Sequence, residues 1–91
     1  MGLKSTTTCL GYQQITSLTS STALTVPAGA SLALIVPETQ NVRWRDDGVA
    51  PTASVGMPVV ANSSMSYDGD LKKIRFIAAT AGAILNVSYY A

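Results

Sequence analysis

The stretch NVRWRDDGVAPTASVGMPV (residues 41–59) begins as one strand, ends as another and spends a long turn between them. Successive side chains of a strand point to opposite faces, so Val42 and Trp44 share one side while Asn41, Arg43 and Arg45 share the other. On this alternation Trp44 is expected to be a core anchor. Asp47-Gly48 is a reversal signal, because an aspartate accepts hydrogen bonds from nearby backbone N–H groups and a glycine takes positive φ at no steric cost. Pro51 and Pro58 lack the N–H that a central ladder needs, so residues 49–58 are expected to be irregular or to lie at a sheet edge.

Working outward, the same grammar recurs. Short runs rich in Val, Ile, Thr and Tyr alternate with turn signals about every ten residues, and helical periodicity is hard to find. Strands are expected near residues 11–18, 22–26, 31–37, 41–46, 57–61, 64–67, 73–78 and 84–90, giving an all-β fold: a single small antiparallel β-sandwich or jelly-roll-like barrel of about eight short strands. Pro37 is expected to end the third strand. In the last strand Leu85, Val87 and Tyr89 share an apolar face, while Ile84, Asn86, Ser88 and Tyr90 share a mixed one. VPAGASLALIV (26–36) and AATAGAILNVSYY (78–90) each place an Ala-Gly-Ala turn before an apolar strand. Residues 1–9 read as a polar N-terminal arm and residues 10–91 as the domain.

A chain of 91 residues buries only about 60 to 65% of the surface that its unfolded form exposes. Cys9 is alone and closes no internal disulfide, so subunit association is the expected source of further burial. Charged residues make up 12% of the chain, net charge is +1 and histidine is absent. This composition gives no electrostatic footprint for nucleic acid or an anionic membrane. No apolar run has signal-peptide length at the start, and LALIV (32–36) is too short to span a bilayer, so synthesis in a cytoplasm is expected. The myristoylation-like start and the sequons at Asn62 and Asn86 have no matching context and are read as chance.

The chemical inventory is sparse. Absence of histidine removes the commonest general base and metal ligand, and one cysteine makes no zinc site. Asp46 and Asp47, as strand neighbours, point to opposite faces and suit a turn better than a shared site. Asp68-Gly69-Asp70 starts like a calcium loop but lacks its remaining ligands, and Lys72 and Lys73 follow. Cys9 has no cationic partner beside it to lower its pKa. Enzymatic activity, a cofactor and a metal are therefore not expected. Arg43 and Arg45, about 6.6 Å apart on one face, present two planar forks. These either grip carboxylates of another chain or pair across strands within this domain. With the aromatic types enriched at interfaces, the protein-interface candidates are Arg43, Arg45, Asp47, Tyr89 and Tyr90.

VPAGA (26–30), QNVRWRDDG (40–48), APTASVGMP (50–58) and AGAILNVSYY (81–90) together resemble small structural proteins of tailed-bacteriophage particles, over about residues 11–90. The shared pattern is a Pro-Ala-Gly turn, an Arg-aromatic-Arg strand ending in Asp-Gly, a Pro-Thr-x-x-x-Gly segment and a terminal strand closing in Tyr-Tyr. The resemblance implies a β-sandwich or jelly-roll virion component made in the bacterial host. Its expected partners are copies of itself, as a dimer or trimer, and the major capsid protein or other virion proteins. A capsid decoration or cement protein is the first expectation; a tail, collar or fibre-attachment component is the alternative. A third, a glycan-binding knob using Trp44 and the tyrosines as stacking platforms, conflicts with the inward alternation of Trp44. No small-molecule substrate is expected.

Overall fold

A computed structural model describes residues 8–91. Among them the chain forms eight strands: β1 (Cys9–Ile15), β2 (Thr22–Ala23), β3 (Leu32–Glu38), β4 (Val42–Arg45), β5 (Met57–Val59), β6 (Met65–Tyr67), β7 (Arg75–Ala78) and β8 (Ile84–Tyr90). They make two four-stranded sheets, ordered β1-β8-β3-β6 and β2-β7-β4-β5, and every pairing is antiparallel. The pairs β1–β8, β2–β7, β3–β6 and β4–β5 are those of one long hairpin whose turn lies between β4 and β5. Rolling that hairpin so that successive pairs fall in opposite sheets produces the jelly-roll arrangement. The all-β expectation holds, and strand order resolves sandwich against barrel in favour of a jelly-roll sandwich.

The alternation read in the sequence fills the space between the sheets. Ala33 and Ile35 of β3, and Leu85, Val87 and Tyr89 of β8, are buried on one side. Val42 of β4, Val59 of β5 and Phe76 of β7 meet them from the other, with Leu18, Leu24, Leu71, Ile74 and Ala83 closing the ends. Among the described residues no charged side chain is fully buried. The inward-facing Gln13 is a polar exception at the seam between β1 and the segment after β2. Its Oε1 accepts from Tyr89 Oη at 2.6 Å and from the Thr25 N–H at 3.1 Å, while its Nε2 donates to Thr25 Oγ1 at 3.2 Å. One amide thus replaces backbone pairing where the chain passes from one sheet to the other.

Several boundaries differ from expectation. β1 stops at Ile15 instead of residue 18 because the chain crosses to the second sheet there; Leu18 turns inward, and its carbonyl accepts from the Ala78 N–H at 2.9 Å. Pro37 does not end β3, which runs on to Glu38 with Pro37 opposite Leu85. The Pro37 carbonyl accepts from Asn62 N at 2.7 Å. The missing N–H therefore faces the side where β6 has already ended, so no rung of the β3–β8 ladder is lost. Of the arm expected over residues 1–9, the described residues Thr8 and Cys9 are held against the sheet. Thr8 exchanges both backbone hydrogen bonds with Ala91 at 2.9 and 3.1 Å, and Cys9 pairs with Tyr90 across a bulge; residues 1–7 lie outside the described residues. The two Ala-Gly-Ala turns are structurally alike, with Gly29 and Gly82 at φ of 85° and 98°, and they deliver the two strands that pair as β3 and β8.

Phe76 has no solvent exposure and sits on the strand between β2 and β4. Phe76→Ala is expected to cost about 3–5 kcal/mol. Because a domain of this size has a total stability of about 5–15 kcal/mol, the urea midpoint should fall by a large fraction or the native baseline should vanish.

Candidate functional site

Arg43 lies on the outer side of β4, and the loop joining β4 to β5 folds back over it. Its Nη1 donates to the Gly56 carbonyl at 2.8 Å and its Nε to the Ala53 carbonyl at 3.2 Å. The loop is also closed on itself. Thr52 and Val55 exchange backbone hydrogen bonds at 2.8 and 3.3 Å, and Thr52 Oγ1 accepts from the Val55 N–H at 2.9 Å. Gly56 adopts φ 146°, and a Cβ there would lie 3.1 Å from the Trp44 carbonyl and 3.2 Å from both Arg43 Cβ and Pro51 Cβ. Only glycine permits that close approach. The Pro-Thr-x-x-x-Gly segment is therefore a rigid loop, with buried Pro51 at its base.

Arg45 is the last residue of β4, opposite Arg75 of β7 and beyond the stretch that pairs with β5. Its Nε and Nη2 form a bidentate pair with Asp47, at 3.0 Å to Oδ1 and 2.5 Å to Oδ2, and Asp47 Oδ1 also accepts from the Val49 N–H at 3.4 Å. The fork thus folds onto its own turn. Hydrogen bonding from Arg45 holds the Asp47 carboxyl down to about 2, and the same contact raises Arg45 above the usual guanidinium value. Asp46 points the other way, as neighbours on a strand should. Its Oδ2 accepts from Tyr67 Oη at 2.6 Å, tying the end of β4 to β6 of the facing sheet. The Tyr67 ring meets the Trp44 ring edge-on, with centroids 5.8 Å apart and an interplanar angle of 62°.

Trp44 is only half buried, contrary to the core-anchor expectation. Opposite Val42 stands buried Val59, but opposite Trp44 stands Met57, which is 57% exposed. At this end of the sandwich the inner face is open, and the opening is a cavity of about 360 Å³ lined by Trp44, Arg45, Asp46, Asp47, Val55, Gly56 and Met57. The alternation placed Trp44 on the correct face; the shortness of edge strand β5 leaves that face uncovered.

The five sequence candidates do not form one site. Arg45 and Asp47 are together, and Arg43 is on the same strand but is committed to the loop. Tyr89 is 1% exposed, belongs to the core and donates to Gln13. Tyr90 lies on the outer face of the other sheet, half buried, and its hydroxyl accepts from Ser88 Oγ at 3.2 Å. Neither arginine pairs with a carboxylate across strands. Sequence reasoning missed Leu32, Leu34 and Val36, half-buried on the outer face of β3. Their signal was LALIV, a run that is apolar on both faces of the strand where a solvated sheet would alternate. Asp68 and Asp70 flank a turn in which Asp70 Oδ1 accepts from the Lys72 N–H at 3.1 Å. Among the described residues no group of three or more possible metal ligands converges.

Comparison of the chain with protein families, characterised proteins and solved structures returns no match.

Two predictions follow from these contacts. Arg43→Ala frees the carbonyls of residues 53 and 56, so amide exchange at Ser54 and Val55 should accelerate with little change in the core; Arg45→Ala should leave those amides protected. Tyr67 and Tyr89 supply the second. Burial pushes both phenols up to about 12, with the Asp46 carboxylate reinforcing the effect at Tyr67. The unfolded chain ionises them nearer 10.0, so their contribution to stability is complete below that pH and is lost as pH rises toward 12. The melting temperature should decline across this window, and an unchanged melting temperature would contradict the assignment.

Proposed function

We propose that this chain is a structural component of a tailed-bacteriophage particle, a capsid decoration or cement subunit. In this reading it associates with copies of itself and clamps adjacent capsid subunits in the virion. The observation that carries the proposal is the outer face of the β1-β8-β3-β6 sheet. There Leu32, Leu34 and Val36 stand on a central strand, flanked by Tyr90 opposite Leu32 and by Ser88 and Ser66 on either side of Leu34. Large apolar side chains beside small serines make a ridge that a flat partner surface can bury.

The polar remainder of that face is largely satisfied internally. Tyr12 Oη donates to Asn86 Oδ1, Gln14 Nε2 donates to the same oxygen at 3.1 Å, and Asn86 Nδ2 donates to Glu38 Oε1 at 2.8 Å. Covering such a face removes little hydration that the domain does not already replace, and one carboxylate gives weak repulsion between two copies. Self-association by this face is consistent with the small core, the low charge and the resemblance of the 26–58 and 81–90 segments to phage structural proteins.

The purified chain should scatter light as a defined dimer or trimer and co-sediment with isolated empty capsids. Leu34→Asp should yield a folded monomer that no longer sediments with them. A wild-type monomer overturns self-association; an oligomer indifferent to capsids overturns decoration and favours the tail, collar or fibre position.

A further inference from the structure

We propose that the cavity between Trp44 and the 51–56 loop is a binding site for a neutral saccharide. This does not rest on the assembly reading, which uses the opposite sheet. The cavity's volume of about 360 Å³ falls within the range of about 300–1,000 Å³ usual for small-ligand sites. Its lining is mainly apolar, from Trp44, Val55 and Met57, and the paired Arg45 and Asp47 add a guanidinium and a carboxylate at the same opening. A pyranose ring is amphipathic in the matching sense. Its C–H face can lie against the negative π face of an aromatic ring, and its hydroxyls each donate and accept.

The polar groups select the ligand class further. Arg45 spends Nε and Nη2 on Asp47, and its Nη1 has no hydrogen-bond partner among the described residues. Those free donors beside the Asp47 carboxylate are the complement of two neighbouring hydroxyls, one accepting and one donating. The Arg45–Asp47 pair is neutral as a unit, so it favours neither an anionic nor a cationic ligand. A neutral polyhydroxylated ring satisfies both conditions; a wholly apolar occupant would bury the rim without using it.

The site is also preorganised. Arg43 and Thr52 hold the loop, Gly56 brings it against the Trp44 carbonyl, and the Tyr67–Asp46 hydrogen bond holds the segment that follows β4, so binding need not order a mobile segment.

Trp44 is the chain's only tryptophan, which makes its emission a direct reporter. The full chain is titrated with glucose, galactose, mannose, N-acetylglucosamine and their disaccharides up to about 20 mM, the range in which weak, millimolar sites saturate. At least one should give a saturable change in Trp44 emission, and glucuronic acid a weaker one. Asp47→Ala, on an exposed turn, should keep the melting temperature within a few degrees and weaken the response about tenfold, equivalent to about 1.4 kcal/mol; Leu34→Asp should leave it unchanged. The proposal fails if no sugar gives saturation, if Asp47→Ala binds undiminished, or if an apolar probe such as n-hexanol saturates the signal where every sugar fails. That last outcome would assign the cavity to an apolar side chain of a partner.

Discussion

The structure depends on β8 being hydrogen-bonded along both edges. It pairs with β1 on one side and β3 on the other, while its inner residues Leu85, Val87 and Tyr89 are almost completely buried. The last strand of the chain is therefore a central strand of a sheet whose other members are spread from residue 9 to residue 67. A jelly roll leaves little choice here, because one long hairpin pairs β1 with β8 and rolling it brings β3 against the other edge of β8. Thr8 and Ala91, held by a reciprocal pair of backbone hydrogen bonds, continue that ladder to the end of the chain. Non-local pairing of this kind must meet its loop-closure entropy before packing compensates. The stiff Pro-Ala-Gly and Ala-Gly turns before β3 and β8 reduce the number of conformations to be searched.

Much of this was legible in single residues. Positions expected to alternate do so, and turn residues fall where chain reversals occur. Where the reading failed, the missing information was the identity of a neighbour. Pro37 reads as a terminator because a proline inside a strand loses a donor, yet the structure directs that loss to a side where no strand competes. Alternation gives Trp44 the correct face but too much cover, since cover depends on how far β5 extends. For Tyr89 the period-two pattern with Leu85 and Val87 pointed inward, and the compositional argument that tyrosines anchor interfaces pointed outward; periodicity was the better guide. Arg43 illustrates a different limit. Its partners are main-chain carbonyls, which no pattern of charged residues reveals, and their position follows from Pro51, Thr52 and Gly56 acting together.

The 43–57 corner shows how a small domain makes a rigid loop without a large core. Arg43 satisfies two carbonyls that would otherwise need water, Thr52 supplies a side-chain acceptor inside the loop, and Gly56 allows the backbone to touch β4. Each of these contacts is modest in net free energy, but together they fix eleven residues between two short strands. Rigidity has a consequence for function, because a loop already held in one conformation loses little entropy when something binds beside it. The half-covered Trp44 is then less a packing defect than the wall of a preformed recess.

Charge usage separates the two surfaces. Arg45 and Asp47 neutralise one another at the recess, and Arg43 is turned onto the loop, so the basic groups that might have dominated recognition are consumed locally. The outer face of the β1-β8-β3-β6 sheet contains one carboxylate, on Glu38, already hydrogen-bonded to Asn86. Neither surface is equipped for long-range steering, which needs an extended field of one sign. In the two proposals recognition arises from contact: burial of Leu32, Leu34 and Val36 on the sheet, and short directional hydrogen bonds around an aromatic wall at the recess. Such interactions fall off within a few ångströms and are insensitive to screening. They suit the proposed virion subunit, which would meet its neighbours at high local density, where fit determines what stays bound.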